Sequence, residues 1–171
     1  MKSKIQNLRS KRSGYTLMEA VVYVAVLAVF SVIAVNTIII IVGSSKHVRA
    51  ERSVNSVAQV AFERIVRDTR TAVSVDTIGS AFDAHPGALS LNNPDTSTTR
   101  FYVENGAIKV RENGVYTGTL TASTTAVDNL VFRFINHGTV QAVRVEMTLS
   151  DTRDPGVTRQ FADTAVLRGS Y

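Results

Sequence analysis

"KRSGYTLMEAVVYVAVLAVFSVIAVNTIIIIVG" occupies residues 11–43, and its reading decides the fold. Residues 20–42 carry no charge, and only Tyr23, Ser31, Asn36 and Thr37 among them are polar. Some twenty residues at a rise of about 1.5 Å span a hydrocarbon core of about 30 Å. Counted over residues 15–42, a helix would be about 42 Å long, so one end projects beyond that core. The run is dense in Val and Ile, which in water would suggest a strand. In lipid every backbone N–H and C=O needs a partner within the segment, so a single span must be helical. One acid, Glu19, stands just inside this run.

Charge and composition narrow the class. The chain has 171 residues and a formal charge of +5. Lys2, Lys4, Arg9, Lys11 and Arg12 supply all of that net charge before Gly14; the remaining 14 basic residues cancel the 14 acidic ones. A basic head before an apolar run is an orientation signal that keeps the N-terminus cytoplasmic. The rest of the sequence offers no basic patch with interleaved aromatics, so no nucleic-acid partner is expected from this chain alone. Cysteine is absent, which excludes disulfides and thiolate metal sites. The residues after the apolar run suffice for one domain with its own core.

Two ordinary readings of the N-terminus compete. A secretory signal peptide has an apolar region of about 7–15 residues and a small-residue cleavage site. This run is longer, although Gly43-Ser44-Ser45 is a suitable small patch. A plain signal anchor would let Glu19 sit near the interface and reach headgroup water.

The residues around Glu19 point elsewhere. A basic head is followed by Gly14, the aromatic Tyr15, Thr16, Leu17, Met18, Glu19 and then the apolar run. This order resembles the N-terminus of the type IV pilin and pseudopilin family, with Tyr15 where Phe is usual. The resemblance covers about 30 residues and implies cleavage between Gly14 and Tyr15 by prepilin peptidase on the cytoplasmic side. It also implies N-methylation of the new Tyr15 amine, which stays charged. Glycine before the cut leaves no side chain to obstruct a catalytic group. Glu19 is then a register residue. A lone buried carboxylate costs several kcal/mol. In a filament of packed helices, Glu19 of one subunit can meet the Tyr15 amine of a neighbour, and only the correct stagger neutralises both. Many major pilins carry a proline in the later half of this helix. Here Asn36 lies near that place and the first proline is Pro86, which fits a minor subunit better.

Beyond the run, Val54, Val57, Ala58, Ala61, Phe62, Ile65 and Val66 recur at helical spacing, while Arg49, Arg52, Arg64, Arg67 and Arg70 fall mostly on other faces. This predicts an amphipathic helix over about 46–70, with Gly43-Ser44-Ser45 able to bend or fray it. From Ala72 the period becomes two. "AVSVDTI" reads as a strand, and a loop follows with Pro86-Gly87 and Asn92-Asn93-Pro94. Asn105-Gly106 and Asn113-Gly114 predict a meander, a His137-Gly138 turn a further hairpin, and "TRQFADTAVL" a last strand. The expected fold is α+β: a long helix, hydrophobic then amphipathic, packed on an antiparallel β-sheet. The expected division is a leader at 1–14, a transmembrane or filament-core helix at 15–42, and an extracytoplasmic domain at 43–171. "ERIVRDTRTA", "VDNLVFRFI", "VRVEMTL" and the closing "TAVLRGS" also look like the J-type minor pseudopilins of type II secretion, and like W-type minor pilins and the F-type subunit of competence pili.

No catalytic constellation is legible. His47, His85 and His137 are scattered and lack metal spacing. "DTRD" at 151–154 offers two carboxylates, few for calcium's 6–8 oxygens, and a turn explains it better. No Ser-His-Asp set can be proposed, and "NNPDTSTT" lacks the glycines and lysine of a phosphate loop. Neither an enzymatic activity nor a cofactor nor a metal is expected. The resemblance implies as partners other pilin or pseudopilin subunits, prepilin peptidase, the inner-membrane assembly platform and the lipid bilayer. The competing class is a membrane-anchored extracytoplasmic binding domain that does not polymerise.

Overall fold

The computed structural model describes residues 16–138 and 140–168. The chain divides into two compact units between Ser44 and Ser45. One helix, α1, Leu17–Thr71, begins in the first and continues into the second. Thr16 caps it: its Oγ1 accepts the Glu19 N–H at 3.3 Å, and its carbonyl accepts the Ala20 N–H at 3.1 Å. The polar side chains of the apolar run turn back onto the helix. Ser31 Oγ donates to Leu27 O and Thr37 Oγ1 to Ile33 O, both at 2.8 Å. Such bonds let a hydroxyl sit in an apolar medium without a partner elsewhere. Gly43, Ser44 and Ser45 are helical, so the helix does not fray there.

In the second unit, α1 buries Ala50, Val54, Ala58, Ala61, Ile65, Val66 and Thr69, a stripe at the three-and-four spacing of one helix face. Most of that stripe joins a single core with residues from two antiparallel sheets. The first sheet comprises β1 (Ser74–Val75), β2 (Ala88–Asn92), β3 (Thr98–Glu104), β4 (Ala107–Glu112) and β5 (Val115–Thr119), in sequence order. The second comprises β6 (Thr125–His137), β7 (Val140–Asp151) and β8 (Thr158–Val166), also in order. Leu89, Leu91, Phe101 and Ile108 from the first sheet and Leu130, Phe132, Val143 and Leu149 from the second are fully buried.

The α+β arrangement expected from the sequence is therefore present, with its sheet divided in two. Three local expectations need correction. "AVSVDTI" forms only the two-residue β1, because Asp76 Oδ1 accepts the N–H groups of Ile78 and Gly79, both at 3.1 Å, and turns the chain. β2 was read as loop. Its Ala88, Leu89, Ser90 and Leu91 are all buried, so it lacks the alternation that marks a half-exposed strand. The β6–β7 turn begins one residue later than expected: His137 still pairs with Val140 within the sheet, and Gly138, at φ 63°, leads the turn. The Asn-Gly turns are as expected, with Asn105, Gly106, Asn113 and Gly114 all at positive φ.

The two sheets are tied along β6. Asp83 N–H donates to Phe132 O and Gly87 N–H to Leu130 O, both at 2.9 Å. His85 Nδ1 accepts the Leu130 N–H at 3.0 Å. A Cβ on Gly87 would lie 2.7 Å from Leu130 O, so only glycine lets this loop lie flat on the strand. The loop thereby covers backbone groups of an edge strand that would otherwise be open to pairing.

If the α1 stripe organises the second unit, Ile65→Ala lowers its unfolding free energy by about 2–5 kcal/mol. Val60→Ala, at a position 55% exposed on the same helix, changes it by less than about 0.5 kcal/mol. Urea unfolding of a fragment beginning at Lys46 measures both; equal effects would mean the helix face is assigned wrongly.

Candidate functional site: an acid at the head of an apolar helix

Gly14 and Tyr15, the expected processing residues, lie outside the described residues. Glu19 lies within them, in the first turn of α1. Thr16 and Glu19 stand three apart at the cap, the T-x-x-E spacing of a capping box. The partial positive charge of a helix N-terminus favours a carboxylate there. Tyr23, one turn on, donates its hydroxyl to Glu19 Oε1 at 3.2 Å. Glu19 is half-buried while its neighbours are exposed. The sequence reading named Glu19 but missed Thr16 as its cap and Tyr23 as its hydroxyl partner. Both signals were present, as the i,i+3 cap spacing and the i,i+4 face. The Thr16 bond engages the Glu19 backbone N–H, so of the carboxylate's roughly four lone-pair sites the Tyr23 hydroxyl takes one, which leaves capacity for an incoming cation.

From Ala20 to the start of the second unit, the side chains of α1 are exposed, among them Val22, Phe30, Ile33 and Ile40. The helix is long and apolar enough to cross a membrane.

The second unit holds a charged cluster close to where it begins. His47 Nδ1 donates to Asp154 Oδ2 at 3.0 Å, and its Nε2 lies 3.8 Å from Glu51 Oε1. Glu51 also pairs with Arg159 of β8. Asp151 is buried, and its carboxylate closes the 151–154 loop. It accepts the Arg153 N–H at 2.8 Å, the Asp154 N–H at 3.2 Å and the Arg153 guanidinium at 3.1 Å. The "DTRD" acids thus serve a turn and an ion pair, and no group of three or more metal-ligating side chains is assembled among the described residues. The Arg153 guanidinium, helped by the backbone N–H donors, holds the Asp151 carboxyl below its ordinary 3.8 against the opposing effect of burial.

A third feature was not legible as a patch. Cross-strand register on β3–β5 brings Tyr102 opposite Lys109 and Arg111 opposite Tyr116. The Arg111 guanidinium lies 4.9 Å from the Tyr102 ring centre, and Lys109 Nζ 5.7 Å from that of Tyr116. Lys109 also pairs with Glu104 at 2.5 Å. Cations and aromatics are therefore interleaved on this face, contrary to the sequence reading, and both rings are already engaged by the chain's own cations.

The chain is thus an α+β protein with one N-terminal helix long and apolar enough to span a membrane. No family model matches it, and neither does any curated protein or solved structure.

Because the folded Asp151 carboxyl is held low, its contribution to stability is complete above the unfolded value, near 3.8, and is lost as pH falls through the lower folded value. Asp151→Asn should destabilise the second unit at pH 7 by about 1–3 kcal/mol, since it weakens bonds to two backbone donors and removes the ion pair. The gap between wild type and variant should close below about pH 4. Thermal unfolding of both proteins across pH is the check; a gap that widens in acid would reverse this assignment.

Proposed function

We propose that this chain is a minor pilin or pseudopilin: a non-catalytic structural subunit, processed by prepilin peptidase and added to a type IV pilus, a type II secretion pseudopilus or a competence pilus. The observation that carries the reading is Glu19, a carboxylate held in the first turn of an exposed apolar helix, five residues after Gly14. Its support is chemical. Cleavage after Gly14 would create a cation on Tyr15, with a reference pKa near 7.7–8.0. Glu19 keeps acceptor capacity for such an amine from a neighbouring subunit. The leader cations stay cytoplasmic until removed, the helix is held in the inner membrane, and the C-terminal domain faces outward. Assembly then draws the apolar helix from lipid into a bundle of like helices, with the inner-membrane platform and other subunits as partners.

A second reading has an observation of its own. Tyr23 bonds the Glu19 carboxylate within the chain, and the Thr16 cap on the Glu19 N–H sets that acid in the first turn of the helix. A membrane-anchored extracytoplasmic binding domain that never polymerises could therefore keep Glu19 simply as a capping acid.

Two measurements decide. Glutamine serves a capping box as well as glutamate and still accepts the Tyr23 hydroxyl, but it carries no charge. Glu19→Gln should therefore leave membrane insertion intact yet cut incorporation into sheared filaments, or co-purification with partner subunits, by about a hundredfold or more. That follows from the ~3–5 kcal/mol lost when one member of a buried ion pair is removed. Incorporation at the wild-type level would favour the anchored-domain reading. Separately, the intact mass of the membrane-extracted protein should correspond to a chain beginning at Tyr15, with or without one methyl group. Retention of Met1, or a cut near residues 43–45, would sink the pilin reading.

A further inference from the structure

The orientation rule leaves Lys46, Arg49 and Arg52 unexplained. Cations close to the far end of a span oppose the signal set by the basic head. Lys46 and Arg49 lie only four and seven residues past Val42 in the sequence, within chain reach of headgroups if the apolar run fills the hydrocarbon. Both are exposed, and no carboxylate among the described residues pairs with either. They line a cavity of about 380 Å³ together with Ala50, Asp151, Arg153 and Asp154.

The carboxylates in this wall are engaged already. Asp151 is covered and bonded to Arg153, and Asp154 accepts from His47. The Arg153 side chain remains 62% exposed despite its bond to Asp151. Three cations against two carboxylates leave one net positive charge in the lining, which matches one phosphodiester. Lys46 supplies a point charge and Arg49 and Arg153 planar donor forks, the two kinds of group that hold phosphate.

We infer that this cavity binds the phosphodiester headgroup of an anionic phospholipid from the outward-facing leaflet, fixing the second unit against the bilayer surface. The inference rests on α1 spanning the membrane, and not on assembly into a filament.

The test uses the full chain in nanodiscs of equal parts phosphatidylcholine and phosphatidylglycerol, followed by release and native mass spectrometry of the lipid that stays bound. Wild type should retain phosphatidylglycerol in preference. At about 1 kcal/mol per cation near an anionic surface, Lys46→Gln combined with Arg49→Gln should lower that preference roughly thirtyfold. Arg52→Gln removes one charge from the same helix outside the cavity and should leave the preference nearly unchanged, where diffuse surface charge would lower it about fivefold. A loss of about fivefold or more with Arg52→Gln would mean diffuse surface charge and would overturn the site. So would equal retention of both lipids by wild type, or displacement of the lipid by millimolar inorganic phosphate, which would make free phosphate the ligand. A chain that cannot be recovered in nanodiscs would refute the membrane span itself, a result distinct from all of these.

Discussion

Both sheets of the second unit close on the stripe of α1 that runs from Ala50 through Val54, Ala58 and Ala61 to Ile65. Burying a branched side chain contributes about 1.5–3 kcal/mol, while ordering each residue's backbone costs about 1–2 kcal/mol. The stripe alone cannot stabilise its own stretch of helix; it shares one core with Phe101 and Phe132, one from each sheet. Neither sheet is self-sufficient either. The dependence is mutual, and it explains why the amphipathic half of α1 belongs with the strands while the apolar half stands as a separate unit.

Legibility followed periodicity. The apolar run, the helical stripe and the two Asn-Gly turns each carry a local signal, and each appears where the sequence placed it. β2 was missed because Ala88, Leu89, Ser90 and Leu91 are covered on both faces, which erases alternation. The way the two sheets are joined was hidden for a different reason. It depends on bonds from Asp83, His85 and Gly87 to β6, more than forty residues away in sequence. Around Glu19 the spacing to Thr16 and Tyr23 was visible, and a functional explanation for the acid displaced the local one. The cation–tyrosine face needed the register of three strands, which no single segment reveals.

Glu19 shows how a helix terminus can serve two states of one chain. While the subunit is alone, the cap, the helix dipole and the Tyr23 hydroxyl make a carboxylate tolerable beside an apolar run. None of the three neutralises its charge. The residual attraction for a cation is what would make a neighbour's amine welcome, so local satisfaction and assembly are compatible demands on the same side chain.

The two Asn-Gly turns also give the chain an uneven chemical clock. Asparagine before glycine ages when the following backbone nitrogen attacks the side-chain amide, and the resulting isoaspartate lengthens the main chain within the turn. Asn113 is tethered: its Oδ1 accepts the Thr98 N–H at 2.9 Å, and its own N–H donates to Thr98 O at 2.8 Å. No such side-chain bond holds Asn105 among the described residues, so the β3–β4 turn is the one that deamidates first in stored protein. The strain falls on the carbonyl of Gly106, which accepts the Val127 N–H at 2.9 Å and joins the first sheet to β6. Age would therefore loosen the seam between the sheets before it touched the core.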